Sequence, residues 1–258
     1  MPEPGFLLLL FLASLLGGAQ NAVAGGGTFL TFPSLIASGF DSKSANITST
    51  VALWPGSVAS IFGYKADLPR DRRLLLSFVA VSILGGILGA FVFLRTPTVT
   101  FDRLIPFLFA LAVCIFAFGP ALSRRLRLAH AHDGPIPNGK LAAFALVQFL
   151  VGFYGGYFGG GIGILMLAAF AALGMTNLNA MNGLKAVLGS LINGVAILVF
   201  GLLGTIDWPV ALLMVAGSVV GGYSGAHLSR RVDPAILRRV VILIGTFVTT
   251  LLFLKAYA

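Results

Sequence analysis

The sequence predicts an all-α polytopic membrane protein, and three observations support that prediction. The chain has 258 residues, of which 58% are hydrophobic and only 10% are charged, and its mean hydropathy is +0.99, well above that of soluble domains. Eight apolar runs approach the roughly 20 residues that a membrane-spanning helix needs. Two triplets of glycine, at residues 25–27 and 159–161, each stand between a long apolar run and a short one.

The long runs have the lengths of spanning helices, whereas the two short runs do not. The long runs cover residues 6–24, 46–63, 74–94, 101–119, 141–158, 182–203, 208–228 and 236–254. The short runs, residues 28–39 and 162–173, directly follow the glycine triplets. At about 1.5 Å per residue, each short run covers roughly 18 Å of a hydrocarbon core about 30 Å thick. We therefore expect each triplet to break a helix inside the membrane.

The second half of the chain repeats the first. Residues 79–90 match residues 215–226 at seven of twelve positions, and the triplets recur at nearly the same offset. This pattern predicts one integral membrane domain made of an N-terminal repeat (1–119), a polar, breaker-rich linker (120–140) and a C-terminal repeat (141–258).

The matched segments carry small residues at four-residue spacing. Such residues let helices approach closely, which is a main source of packing energy in lipid. We therefore assign Gly85, Gly89, Gly221 and Gly225 to helix packing and not to a binding site.

Lys and Arg are enriched in cytoplasmic loops, so their placement predicts how the repeats are oriented. If only the long runs change sides, the sixteen Lys and Arg residues other than Lys185 divide nine to seven between the two faces. If each short run returns the chain to the side it came from, they divide twelve to four. The second arrangement predicts two inverted-topology repeats, each with a glycine-broken, re-entrant or hairpin-like helix pair followed by three spanning helices. The linker is then cytoplasmic and both termini lie outside.

Composition excludes several classes of protein. The formal charge of +9 comes from short basic clusters beside apolar runs, which is a topology signal and not a nucleic-acid-binding tract. An enzyme acting inside the membrane needs a nucleophile with a base, or a cluster of ligands, at membrane depth. The apolar runs offer only Cys114. We therefore expect no enzymatic activity, no metal and no cofactor.

The glycine triplets predict a site for a small anion. Successive glycines tend to stop a helix and leave the next backbone N–H groups without side-chain cover. The short helices would then begin within the membrane, with free N–H groups and the positive end of each helix dipole directed at one point. The alternative is that the glycines only permit tight helix crossing. The residues assigned to substrate binding on the first interpretation are Gly25, Gly26, Gly27, Thr28, Gly159, Gly160 and Gly161.

Lys185 is the one basic residue deep within an apolar run, and no Asp or Glu lies in the interior of any long run. A charge inside a membrane usually faces a cavity or a partner, so an anionic substrate is its natural counter-ion. The alternative is that the side chain extends to the membrane interface.

Polar side chains near these features can bind an oxyanion without carrying charge. Asn182 lies three residues before Lys185, and the matching region of the first half holds Asn46, Thr48 and Ser49. Asn21, before the first triplet, could line the same cavity or cap the break. Asn193 and its counterpart Ser57 could be ligands or could join helices.

These features resemble the TauE/SafE family of sulfite exporters and related permeases. The resemblance rests on the duplicated triplet with its short following helix, on Ala-Asn-Ile-Thr-Ser at 45–49 and on Met-Asn-Gly-Leu-Lys at 181–185, and it extends over nearly the whole chain. It implies a permease or exporter for small sulfur-containing anions such as sulfite or sulfonates, in the plasma (inner) membrane of a bacterium. Its partners would be that anion and the lipid bilayer, with no nucleic acid.

The mechanism expected from the repeats is alternating access around an anion site near the membrane midplane. An anion channel, or a membrane assembly subunit that transports nothing, is the alternative. The exact substrate, the direction of transport, the coupling ion and the oligomeric state stay open at this point.

Overall fold

The computed structural model describes residues 4–23, 26–64, 68, 71–130, 138–203, 206–228 and 234–257. The backbone of these residues forms α-helices and no strand, which confirms the predicted all-α fold. The helices are α1 (Pro4–Val23), α2 (Thr28–Ala37), α3 (Ser42–Tyr64), α4 (Arg72–Arg95), α5 (Thr98–His130), α6 (Asn138–Tyr157), α7 (Ile162–Leu173), α8 (Leu178–Leu203), α9 (Trp208–Leu228) and α10 (Pro234–Tyr257).

Each apolar run of the sequence corresponds to one helix, and each glycine triplet separates a long helix from a short one. The largest difference in bounds is at α5, which continues to His130, whereas its apolar run ends at residue 119. Pro106 and Pro120 lie inside α5 without ending it. The first half of the predicted linker, up to residue 130, is therefore a continuation of α5.

Within the described residues, six helices are long and apolar enough to cross a membrane, which supports a multi-pass membrane protein. These segments are Pro4–Ala22, Arg72–Arg95, Thr98–Leu126, Gly139–Tyr157, Leu178–Leu203 and Trp208–Gly225. The helix α2 has 10 residues and α7 has 12, so at about 1.5 Å per residue they cover only about 15 and 18 Å. The helix α3 has 23 residues, but it begins with a stretch rich in Ser, Thr and Asn.

The small residues of the repeated segments hold two helix pairs in close contact, as predicted. The helix α4 packs on α6, where a Cβ built on Gly85 would lie 2.8 Å from the backbone nitrogen of Phe153. The helix α9 packs on α1, where a Cβ on Gly225 would lie 2.6 Å from Ala19 Cα. The prediction that these glycines serve packing is confirmed, because a side chain at either position would force the two helices apart.

The helix α5 is in contact with both glycine breaks. Gly26 lies against the ring of Phe116, and a Cβ on Gly161 would lie 3.7 Å from Ala112 Cα. Ala112 and Phe116 are four residues apart, so the two breaks differ in height along α5 by about 6 Å. Both positions fall near the middle of the apolar segment Thr98–Leu126.

The two short helices leave this level in opposite directions along α5. On α2, the ring of Phe29 packs on the rings of Phe116 and Phe109 of α5. The ring of Phe32, one turn further along α2, packs on Phe109. The helix α2 therefore runs toward the start of α5. On α7, the contacts pass from Ala112 beside Gly161 to Ser123, whose hydroxyl donates to the carbonyl of Leu167 at 3.3 Å. The helix α7 therefore runs toward the end of α5.

The helices α3 and α8, one from each half, lie side by side and carry the polar residues of the interior. Trp54 Nε1 donates to the carbonyl of Ser190 at 2.9 Å. Pro55 follows Trp54 inside α3 and has no N–H to donate to the preceding turn. The hydroxyl of Ser218 on α9 donates to the neighbouring carbonyl of Ala52. These bonds fix α3 against α8 and α9 at the point where its own hydrogen-bond ladder is interrupted.

Candidate functional site

A cavity of about 80 Å³ lies where the two breaks meet α3 and α8. One water molecule needs about 10–15 Å³ measured in this way, so the cavity has room for several waters or for one small polyatomic anion. Its walls come from both halves of the chain. The lining residues are Asn21, Ala22, Gly26, Thr28, Thr50, Leu53, Gly56, Ser57, Ser60, Phe158, Gly159, Gly161, Ile162, Gly163, Lys185, Ala186, Gly189, Ser190 and Asn193.

Both breaks use backbone conformations that only glycine adopts without strain. Gly26 has φ +88°, and in the second break Gly159 and Gly161 have φ +83° and +79°. Residues with a Cβ disfavour this region, at a cost of about 1–3 kcal/mol when they are held there. The chain therefore reverses within a few residues, and it places the first turns of α2 and α7 at the cavity wall.

The N-terminal turns of α2 and α7 present backbone N–H groups to the cavity. In the first break, Gly27 N donates to Asn21 Oδ1 at 2.9 Å. Among the described residues, the backbone nitrogen atoms of Thr28, Ile162 and Gly163 have no hydrogen-bond acceptor, and all three residues line the cavity. Each helix N-terminus also carries the equivalent of about half a positive charge. The backbone thus provides donors and positive potential from two directions.

Lys185 is the charged residue in this lining, and no Asp or Glu accompanies it. Its aliphatic stem runs along the start of α7: a Cβ on Gly163 would lie 3.1 Å from Lys185 Cδ. Within the described part of the chain, its ammonium makes no hydrogen bond or ion pair. Lys43 is different, because its Nζ donates to the carbonyls of Leu94 and Thr96 at 3.0 and 2.9 Å, at the end of α4.

Uncharged polar side chains line the rest of the cavity. The hydroxyls of Thr50 and Ser57 donate to carbonyls of their own helix, those of Asn46 and Leu53, at 2.8 and 3.2 Å. The hydroxyl of Ser190 is buried and has no partner in the described residues. The side chain of Asn193 likewise has no hydrogen bond there, and it lies beside the second break, 3.9 Å from a Cβ built on Gly159. Asn193 and Ser190 can therefore turn donors toward a ligand.

The structure brings six of the residues that the sequence analysis assigned to substrate binding to this cavity and leaves six others outside it. Gly25 lies outside the described residues. The six at the cavity are Asn21, Gly26, Thr28, Gly159, Gly161 and Lys185. The six outside its lining are Gly27, Asn46, Thr48, Ser49, Gly160 and Asn182. Asn21 lines the cavity, and its Oδ1 also accepts from Gly27 N at 2.9 Å.

Several residues outside the lining are engaged in contacts within the protein. Asn46 lies one turn before Thr50 on α3, and its Nδ2 donates to the carbonyl of Tyr157 at 3.2 Å. The hydroxyl of Ser49 pairs with that of Thr31 on α2 at 2.6 Å. These two side chains join α3 to the ends of the broken helices and so hold the breaks in position.

Gly27 and Gly160, which also lie outside the cavity lining, belong to the breaks themselves. Gly27 packs against Gly17 of α1 and beside Leu53, whose Cδ1 would be 3.2 Å from a Cβ on Gly27. The carbonyl of Gly160 accepts from the hydroxyl of Tyr154 at 2.8 Å. Thr48 is buried on α3, and Asn182 is half-buried near the start of α8.

Ser60 and Ser190 line the cavity but were not predicted from the sequence, and helical spacing could have selected Ser60. Thr50, Leu53, Ser57 and Ser60 follow one another at intervals of three or four residues, which places them on one face of α3. Lys185, Gly189 and Asn193 show the same spacing on α8. In the described residues, no three His, Cys, Asp or Glu side chains are grouped so that they could hold a metal ion.

Comparison with known proteins agrees with this architecture. The chain is similar to a "probable membrane transporter protein" of Haemophilus influenzae, at 28% identity over 94% of this chain and 92% of the relative. It is also similar to the "probable membrane transporter protein YfcA" of Escherichia coli, at 27% identity over 100% of this chain and 93% of the relative. No solved structure gives a significant match. The family model for the sulfite exporter TauE/SafE matches residues 10–252, so this chain is a membrane transporter that belongs to the TauE/SafE family.

Proposed function

We propose that the protein is a permease for small sulfur-containing anions, such as sulfite or sulfonates, and that it works by alternating access around the cavity described above. One observation carries the proposal: the N-termini of α2 and α7 and the side chain of Lys185 converge on one cavity whose lining contains no carboxylate. Positive ends of helices and an unpaired ammonium favour a negatively charged ligand. The description of the family adds sulfite as the class of anion.

Alternating access and the inverted repeat are part of the same proposal. Transporters built from inverted repeats place broken helices and the binding site at the repeat interface, and one repeat then rocks against the other. Three features support this arrangement here: the breaks contact α5 about one turn apart, the short helices run from there in opposite directions, and α3 and α8 both line the cavity. The proposed repeats are residues 1–119 and 141–258, with the linker 120–140 cytoplasmic and both termini outside.

The charge distribution and the bacterial relatives support a place in the inner membrane of a bacterium. Residues proposed to contact the anion are the backbone of Thr28, Ile162 and Gly163 and the side chains of Lys185 and Asn193. The residues that the sequence analysis named but the cavity does not contain are proposed to position the breaks.

The experiment that tests the proposal compares Lys185→Ala with Lys255→Ala in proteoliposomes. Lys255 is exposed near the end of α10 and serves as a matched control for loss of one lysine. A hydrogen bond to a charged group contributes about 1.5–3 kcal/mol, so Lys185→Ala should raise the half-saturating sulfite concentration by roughly tenfold to a hundredfold. Lys255→Ala should leave it within about twofold.

Counterflow of labelled sulfite provides the readout, because it also separates a carrier from a pore. In a carrier, unlabelled sulfite on the opposite side accelerates entry of the label, and a pore does not show this acceleration. Equal effects of the two lysine variants would remove Lys185 from the site. Absence of trans-acceleration in the wild-type protein would refute alternating access, and absence of any sulfite or sulfonate flux would refute the substrate class.

A further inference from the structure

The charged groups that line the cavity indicate which ion is transported together with the anion. The lining contains one titratable side chain, that of Lys185, and no Asp, Glu, His or Arg. The N-termini of α2 and α7 point at the same space with partial charges of the same sign as the ammonium. An empty cavity with a protonated Lys185 therefore holds positive charge that nothing in its lining neutralises.

The helices that pack on α8 do not change this balance within the described residues. They are α3, α4, α6 and α7, and none of them contains an Asp or Glu. Asp71, which precedes α4, uses its Oδ1 to accept from the backbone nitrogen atoms of Arg73 and Leu74 at 2.9 and 3.1 Å. The titratable groups on the packed helices are Lys43, Tyr64, Arg72, Arg73, Arg95, Lys140, Tyr154 and Tyr157.

Those groups are cationic or phenolic, and several of them already form hydrogen bonds within the protein. Tyr154 donates to the carbonyl of Gly160 and Tyr157 to the hydroxyl of Thr96, at 2.8 and 3.3 Å. Lys43 is bonded to carbonyls of α4. Asp67, which follows α3 in the sequence, lies outside the described residues. The variant Asp67→Asn therefore tests whether this carboxylate contributes to proton coupling.

The binding of an anion reverses the sign of the field that Lys185 experiences. A neighbouring negative charge favours the protonated amine, and neighbouring positive charge disfavours it. Linkage is reciprocal, so an anion that promotes protonation of Lys185 is itself bound more tightly when Lys185 is protonated. Anion and proton should therefore enter and leave this cavity together.

We propose that Lys185 carries the coupling proton, so that each anion crosses the membrane with one proton bound to the Lys185 side chain. When the anion enters, the neutral amine takes a proton from water and the ammonium pairs with the anion. On the opposite side the anion leaves, the ammonium returns its proton to water, and the empty carrier reorients with a neutral cavity. This inference rests on the proposed anion site, and it adds a second transported species to it.

The test uses methanesulfonate, because this anion does not bind protons near neutral pH and any proton movement then belongs to the protein. Full-length protein is placed in liposomes that contain a fluorescent pH indicator, and the membrane potential is set with potassium and valinomycin. With an inward methanesulfonate gradient, we expect about one proton to enter per anion. We also expect net flux to change less than twofold when the potential is varied, since the pair carries no net charge.

Two variants sharpen the measurement. Arginine does not lose its proton in proteins, so in Lys185→Arg the ratio of net methanesulfonate flux to methanesulfonate exchange should fall at least tenfold. Asp67→Asn should keep the wild-type ratio of protons to anions. If Lys185→Arg does not bind the anion at all, the measurements on the wild-type protein decide the matter.

The outcomes separate this inference from the function on which it rests. Anion flux without protons, accelerated by a favourable potential, overturns the coupling role of Lys185 while counterflow still supports a permease. Wild-type proton stoichiometry in Lys185→Arg, or its loss in Asp67→Asn, also overturns that role. If wild-type protein shows no counterflow of methanesulfonate or sulfite, the proposed function fails and the coupling inference fails with it.

Discussion

Replacing Gly163 by alanine tests whether the stem of Lys185 lies along the first turn of α7. A methyl group at this position would lie 3.1 Å from Lys185 Cδ, 3.7 Å from Cγ and 3.9 Å from Cε. Carbon atoms pack best at about 3.5–4.0 Å, so the stem must move away from α7 by about 0.5 Å. The ammonium at its end then moves relative to an anion held by the N-terminus of α7.

The size of the effect follows from Coulomb's law. With an effective dielectric constant of about 20, unit charges about 2.9 Å apart attract by about 5.7 kcal/mol and at about 3.4 Å by about 4.9 kcal/mol. The difference of about 0.8 kcal/mol corresponds to roughly a fourfold loss of affinity. Alanine in a helix is favoured over glycine by up to about 1 kcal/mol, so the variant should fold at least as well as the wild-type protein.

The assay is the half-saturating concentration for sulfite counterflow, accompanied by thermal unfolding in detergent. Gly201→Ala in α8 is the control, because among the described residues its added Cβ would contact only Ile206, at 3.9 Å, and should leave sulfite affinity unchanged. Wild-type affinity in Gly163→Ala, together with a large loss in Lys185→Ala, would show that the lysine reaches the anion by another path. A loss of more than about thirtyfold would show that the methyl group blocks the anion itself.

Two further predictions concern the breaks and the topology. Gly26→Val should abolish transport while the protein is still recovered from the membrane at the wild-type yield, because valine at φ +88° is strained and its side chain would meet the ring of Phe116; flux at the wild-type rate would refute the role of this break. In a Cys114→Ser background, Leu68→Cys and Val232→Cys should both react with an impermeant thiol reagent from the cytoplasmic face. Labelling from opposite faces would replace the inverted repeat with a parallel one.

The helices could be predicted from the sequence because their causes are local. Length and hydropathy of a run decide whether a segment can satisfy its backbone groups in lipid, and three successive glycines at the end of an apolar run tend to end a helix. The extension of α5 to His130 was missed for the same reason: loss of hydropathy after residue 119 ends an apolar run but does not end a helix. Arg124, Arg125 and Leu126 are good helix formers and continue the helix beyond the apolar run 101–119.

The site was only partly predictable, because proximity between distant segments is not a local property. Lys185 and Asn21 were identified from their chemistry, since a charge or an amide beside an apolar run needs a partner. The same reasoning could not separate Asn46, which bonds to Tyr157, from Thr50 one turn later, which lines the cavity. Both belong to one face of α3, and only the position of the second break along that face decides which residue meets the cavity.

By itself the sequence determined that this protein is a helical membrane protein with two broken helices and one unpaired lysine, because hydropathy, glycine and charge act on the chain within a few residues. Only the tertiary structure decided that the breaks contact α5 within about one turn of each other and that the stem of Lys185 packs on Gly163 at the start of α7. These contacts join segments that lie between 22 and 90 positions apart in the chain. They depend on how closely the helices pack, which the small residues permit but do not specify.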